Sequence, residues 1–174
     1  MVTGPVPAGV EALTEERARP VAATTTFLVG PGGGGSVAGT GDVVFALVGG
    51  ACYALDAATG KALWRRVVGA DSTELPTPIA GDGKLRVLLN DRRSHELVLV
   101  EGRTGKLVWR QTIGEPADAA PLVHQGRVYW PTRLGRLFVL DQATGRVLGH
   151  LSFPQPLPVT PVADAAGETL YLVG

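Results

Sequence analysis

Tyr53-Ala54-Leu55-Asp56-Ala57-Ala58-Thr59-Gly60-Lys61-Ala62-Leu63-Trp64 is an apolar run that breaks at an aspartate, crosses a Thr-Gly pair and resumes as a second apolar run ending in tryptophan. Nearly the same phrase returns as Val98-Leu99-Val100-Glu101-Gly102-Arg103-Thr104-Gly105-Lys106-Leu107-Val108-Trp109. It returns again as Phe138-Val139-Leu140-Asp141-Gln142-Ala143-Thr144-Gly145-Arg146-Val147-Leu148-Gly149. Gly60, Gly105 and Gly145 stand 45 and then 40 residues apart. A period of this size marks a repeat architecture before any element is assigned. The phrase also has a mechanical reading. The carboxylate of Asp56, Glu101 or Asp141 accepts backbone N–H groups of the turn, and the glycine takes the positive φ that closes a short hairpin with a bulge. A second strand then leaves behind Lys61, Lys106 or Arg146 at its solvent-facing start.

A second signal falls between these hairpins at matching offsets. Pro78-Ile79, Pro121-Leu122 and Pro161-Val162 each precede a Gly-centred turn and an apolar strand, and Ser36-Val37 occupies the same place 42 residues before Pro78-Ile79. Each unit therefore holds four short strands: Pro-apolar, turn, apolar, turn, apolar, acidic-x-x-Thr-Gly, apolar. Four antiparallel strands per unit of about 40–45 residues is the signature of a β-propeller blade. Leu97 to Val100 and Leu137 to Leu140 are apolar on both sides of the pleat, as expected of strands covered on both faces by neighbouring blades. The expected division is blades over about 34–67, 76–112 and 118–152, with half-blades over about 8–24 and 158–174. The upstream copy is the weakest: Ala18 replaces its glycine, so its turn is expected to be distorted, or residues 11–19 form a helical turn instead.

The segment from Ala54 to Trp64 resembles the tryptophan-docking motif of quinoprotein-type (PQQ-like) propellers, Ala-x-Asp-x-x-x-Gly-Lys-x-x-Trp. The second copy departs from it with Leu99 and Glu101, and the third with Val139, Arg146 and Gly149, so the third lacks a docking tryptophan. The resemblance implies that Asp56, Gly60, Trp64, Glu101, Gly105, Trp109, Asp141 and Gly145 form the structural blade motif. It further implies that Trp64 and Trp109 wedge against adjacent blades, each indole N–H needing an acceptor. It covers two outcomes: pyrroloquinoline-quinone dehydrogenases, and cofactor-free propellers such as the lipoprotein of the outer-membrane β-barrel assembly machinery. The enzyme branch calls for a calcium site of Glu, Asn and Asp and often a vicinal cysteine pair. This chain has one cysteine, Cys52, and one asparagine, Asn90. The expectation is therefore a non-catalytic interaction or scaffold module with no cofactor. The alternatives are a piece of a quinoprotein dehydrogenase and a small-ligand sensor.

The remaining residues fit that expectation. Glycine (24) and proline (13) are frequent in the 174 residues, which favours short strands joined by turns. Lys+Arg and Asp+Glu balance at 16 each, so no net field recruits nucleic acid or an anionic membrane. No export segment or apolar span is evident, and the chain reads as soluble, although the resemblance implies a periplasmic or cell-surface setting. Cys52 sits in an apolar strand as a small hydrophobe. Pro31-Gly32-Gly33-Gly34-Gly35-Ser36 lacks the lysine of a phosphate loop and reads as a flexible connection. Asn90-Asp91-Arg92-Arg93-Ser94 reads as a solvated hairpin tip that can touch an acidic partner. His95, His124 and His150 have no metal-ligand spacing, and Ser94-His95 has no nucleophile elbow.

The strand count implies the last two strands of one blade, three blades, and the first two strands of another. The expected explanation is a piece of a longer propeller. Its rivals are a small four-bladed ring and an eight-bladed ring built from two chains. A partner protein is expected, with carbohydrate the alternative.

Overall fold

The computed structural model describes residues 26–29, 43–69, 76–81, 84–164 and 166–174. Among them there is no helix, and every regular element is a strand. The first sheet contains β1 (Thr26–Val29), β2 (Val43–Val48), β3 (Ala51–Asp56) and β4 (Ala62–Val67). The second contains β5 (Thr77–Gly81), β6 (Lys84–Asp91), β7 (Glu96–Glu101) and β8 (Leu107–Thr112). The third contains β9 (Leu122–His124), β10 (Arg127–Pro131), β11 (Arg136–Asp141) and β12 (Val147–Ser152). A two-stranded sheet of β13 (Val162–Ala163) and β14 (Leu170–Tyr171) follows. Within each sheet the strands lie in sequence order, every neighbour antiparallel. This is the all-β propeller of four-stranded antiparallel blades.

The strand that opens the first sheet is Thr26–Val29, which pairs with β2 through Thr26↔Ala46 and Val29↔Val43. The position inferred from the repeat offset, Ser36-Val37, lies outside the described residues, as do the glycine-rich stretch 31–36 and the upstream copy at 8–24. Residues 30–42 separate β1 from β2, whereas only two residues separate β5 from β6 and β9 from β10. That long connection breaks the local period.

The three hairpins close as their turn chemistry requires. Gly60, Gly105 and Gly145 have φ of 69°, 67° and 73°. At each turn the register slips by one residue, between Ala54 and Leu55, Leu99 and Val100, and Val139 and Leu140. The extra residue relieves the twist that a tight turn imposes on the flanking strands.

Packing explains the strands that are apolar on both faces. Leu97, Val98, Leu99 and Val100 of β7 are each 0% exposed. Val98 and Val100 join Val43, Phe45, Leu47, Cys52 and Ala54 of the first sheet in one core cluster. Leu97 and Leu99 join Val128, Trp130 and Leu140 of the third sheet in another. The second blade is therefore covered on both sides. Of the outward strands, β8 and β12 are mostly exposed and β4 is half exposed.

Candidate functional site

The blade motif builds the joints between sheets. In the first turn, the Thr59 backbone N–H and hydroxyl both donate to Asp56 Oδ1, at 3.0 and 2.9 Å. Thr144 does the same to Asp141 Oδ1 at 2.8 and 2.7 Å, and the Thr104 hydroxyl donates to Glu101 Oε2 at 2.8 Å. The threonine hydroxyl, and next its N–H, hold the Asp56 and Asp141 carboxyls below the ordinary aspartate range because both bonds favour the ionised form.

Each tryptophan reaches across to the next turn. Trp64 donates its indole Nε1–H to the Gly102 carbonyl at 2.8 Å, and Trp109 donates to the Gln142 carbonyl at 3.0 Å. Gly102 and Gln142 occupy the same step of successive turns. The rings lie on the turn glycines so closely that a Cβ on Gly105 would stand 2.7 Å from Trp64 Cγ, and one on Gly145 2.5 Å from Trp109 Cδ2. These glycines therefore serve twice, supplying a positive φ and a seat for an aromatic ring. Phe45 packs beside Trp64 with ring centroids 6.0 Å apart, and Arg103 of the second turn reaches Asp56 of the first at 3.5 Å. The third unit has Gly149 in the tryptophan register, opposite Val139. Its neighbour is met elsewhere: His124 Nε2 lies 3.1 Å from the Gly167 carbonyl, to which the Gln125 amide also donates at 3.2 Å.

The opposite end of the blades carries a network that the repeat pattern does not announce. Asp91, 3% exposed, is held by the Arg93 guanidinium through Nε to Oδ1 at 3.0 Å and Nη2 to Oδ2 at 2.7 Å. Arg93 also donates to the Val67 carbonyl of the first sheet at 2.9 Å. Arg92 and Arg133 share Asp118, at 2.7 and 2.9 Å. Glu115, 5% exposed, accepts from the Thr132 hydroxyl at 2.9 Å and pairs with Arg136. Apart from Asp91 and Arg93, the partners come from separate loops, and only their charge hinted at pairing. Leu134 sits on the tip between Arg133 and Arg136, 63% exposed.

The solitary candidates have structural surroundings. Cys52 is fully buried, and burial pushes its thiol up to about 12. The Asn90 amide donates to the Ala117 carbonyl at 2.9 Å. The His150 ring lies 5.5 Å from that of Phe138. His95 holds a positive φ of 52° in the β6–β7 turn. No group of three or more His, Cys, Asp or Glu capable of holding a metal occurs among the described residues. No helix among them is long and apolar enough to cross a membrane.

Comparison with known proteins agrees with this geometry. BamB from Moraxella catarrhalis is 27% identical and superposes with a TM-score of 0.55, over 75% of this chain and 39% of its own. Quinohemoprotein alcohol dehydrogenase from Comamonas testosteroni is 17% identical with a TM-score of 0.57, over 75% and 27%, a likeness of fold alone. The chain thus corresponds to well under half the length of either protein. No curated protein matches it by sequence. A family model described as outer membrane protein assembly factor BamB matches twice, over residues 11–93 and 53–174. The overlap means that residues 53–93 satisfy the pattern in two registers, as tandem units do. The chain belongs to this BamB-like family of PQQ-like β-propeller repeats.

Proposed function

We propose that the chain is a non-catalytic protein-interaction module that offers the turns opposite its tryptophan joints to a partner protein. The observation that carries this reading is the β10–β11 tip. There Leu134 is 63% exposed while Arg133 and Arg136 beside it are held by Asp118 and Glu115. An apolar tip flanked by fixed guanidinium groups loses little freedom on binding, and that lowers the cost of association. The family description, an assembly factor, supports a protein partner over carbohydrate.

Quinone chemistry finds no carrier in these residues. Asn90 is engaged with the Ala117 carbonyl, Cys52 lies in the core, and Glu115 and Asp91 are already paired with arginines. Among the described residues this set does not fit a calcium–quinone site, and no reaction is assigned. A photo-crosslinking amino acid in place of Leu134 tests the reading in the native host, with Leu107 on β8 as the control position. The expected result is one defined adduct at 134 that Arg133→Glu suppresses. Equal labelling at both positions refutes it, as does quinone- and calcium-dependent dye reduction by the chain.

A further inference from the structure

Both walls of the cleft between the first and second sheets are complete four-stranded sheets, and its inner part is filled. Cys52 of β3 and Val98 of β7, each 0% exposed, meet there in one apolar cluster. Residues directly opposite each other in an antiparallel pair share a face. Arg66 stands opposite Cys52, and Arg110 stands opposite Val98. Two arginine side chains, one from each wall, therefore face the same cleft along its outer margin. Arg66 is half-buried and Arg110 is exposed. The Arg66 Nε–H is buried without a hydrogen-bond partner, and neither arginine is ion-paired among the described residues.

Arg93 crosses the loop end of this cleft, where its Nη2 donates to the Val67 carbonyl. The acids beside it are already engaged. Asp91 is held by Arg93 through both oxygens. Glu96, which alternates with Val98 on the same face of β7, accepts from the Thr112 and Ser94 hydroxyls at 2.9 and 3.0 Å. Three guanidinium groups thus meet two carboxylates, and positive charge is left over beside a buried donor that lacks an acceptor. Such a donor keeps its desolvation penalty until an acceptor arrives.

From this arrangement we infer that the margin between β4 and β8 is a carboxylate-binding notch, filled by an Asp or Glu side chain that a partner protein projects between the first two blades. That the carboxylate comes from a protein rests on the interaction reading above, and the notch specifies that partner's chemistry. Guanidinium groups match the two oxygens of a carboxylate, in bonds stronger than those between neutral groups. An anionic lipid surface is the poorer source, because the unpartnered donor is buried and a bilayer meets only what projects.

The test uses the full chain, ¹⁵N-labelled, with the arginine Nε–H signals followed by NMR. The probe is the capped peptide acetyl-Ser-Glu-Leu-Asp-Ser-amide at constant ionic strength, and its control is the amide counterpart acetyl-Ser-Gln-Leu-Asn-Ser-amide. The expected result is a saturable shift of the Arg66 and Arg110 signals with the acidic peptide alone. Arg66→Gln and Arg110→Gln should each weaken binding about tenfold or more. Arg65→Gln should leave it unchanged, since Arg65 lies over the Tyr53 ring instead. Each variant is checked for an unchanged unfolding midpoint, and the two notch variants stand in for each other if one fails to fold. No saturable shift up to about 10 mM peptide, equal shifts with the amide control, or an equal loss in Arg65→Gln overturns the proposal. So does movement of the same signals by phosphatidylglycerol vesicles but not by the peptide, which would make the occupant a lipid surface. The crosslink at position 134 separates the two readings. A silent notch with that adduct intact removes the carboxylate site and leaves the docking module, whereas a responsive notch without the adduct removes the tip and leaves the notch.

Discussion

Gly105→Ala is the most searching single perturbation of the joints. Two separate costs meet at this residue. Its φ of 67° lies where an alanine costs about 1–2 kcal/mol. The new Cβ would also stand 2.7 Å from Trp64 Cγ, with Cδ2 and Cδ1 at 3.0 and 3.1 Å. The ring must therefore move, stretching its bond to the Gly102 carbonyl. Overpacking of this kind costs about 1–3 kcal/mol, for a total of about 3 kcal/mol. Gly126 is the matched control, with a φ of 73° and nothing within 4 Å of the point where a methyl group would stand. Gly126→Ala should therefore cost only the backbone share of about 1 kcal/mol. Urea unfolding followed by far-UV circular dichroism reads both, and the double variant with Trp64→Ala completes the cycle. With the ring gone, Gly105→Ala should fall back to about 1 kcal/mol, leaving a coupling of about 2 kcal/mol. Equal costs for the two glycines, or a coupling near zero, would show that the ring does not press on the turn and would refute the joint.

Three further outcomes follow from other parts of the fold. Glu115→Ala removes the partner of Arg136 and of the buried Thr132 hydroxyl. It should cost about 2 kcal/mol, less than the roughly 3–5 kcal/mol of a fully buried pair because Arg136 is 47% exposed, as read from the urea midpoint. Asp56 and Asp141 have carboxyls held below the ordinary aspartate range, first by their threonine hydroxyls. Their contribution is therefore fully present above the ordinary aspartate pKa and is lost as pH falls through the depressed folded value. The slope of Tm against pH between about 5 and 2 should flatten in the Asp56→Asn, Asp141→Asn double variant, and an unchanged slope contradicts the assignment. Cys52, with its thiol raised to about 12, should react with a disulfide reagent at pH 8 only after unfolding. Immediate stoichiometric labelling of the native chain would place it at the surface instead.

The hairpins were legible because their information is local. An acidic residue, a threonine three positions on and a glycine one further fix the turn, and the tryptophan four residues after that glycine marks the joint. Expected acceptors for the two indoles are met by Gly102 and Gln142. The opening strand was not legible, since the 13-residue connection after Val29 exceeds the repeat's own spacing and shifts any alignment made by offset. The loop-end network was hidden for a different reason. Glu115 and Arg136, or Arg92 and Asp118, lie on different turns and have no counterpart one period away. Asn90-Asp91-Arg92-Arg93-Ser94 reads as a solvated tip, yet Asp91 is 3% exposed. Its burial comes from Arg93 folding back toward the Val67 carbonyl, a contact between blades that no single blade's sequence contains.

The joints are also directional. Every full unit carries a socket, the glycine turn, and the first two carry a plug, the tryptophan that enters the following socket. A gene segment encoding one unit, copied in tandem, would thus bring a matching plug and socket with it and need no new interface to be accepted into the row. Units of this kind can be added at little cost, whereas a unit without a plug, as the third is at Gly149, leaves its joint to other contacts and frees that step of the row from the common pattern.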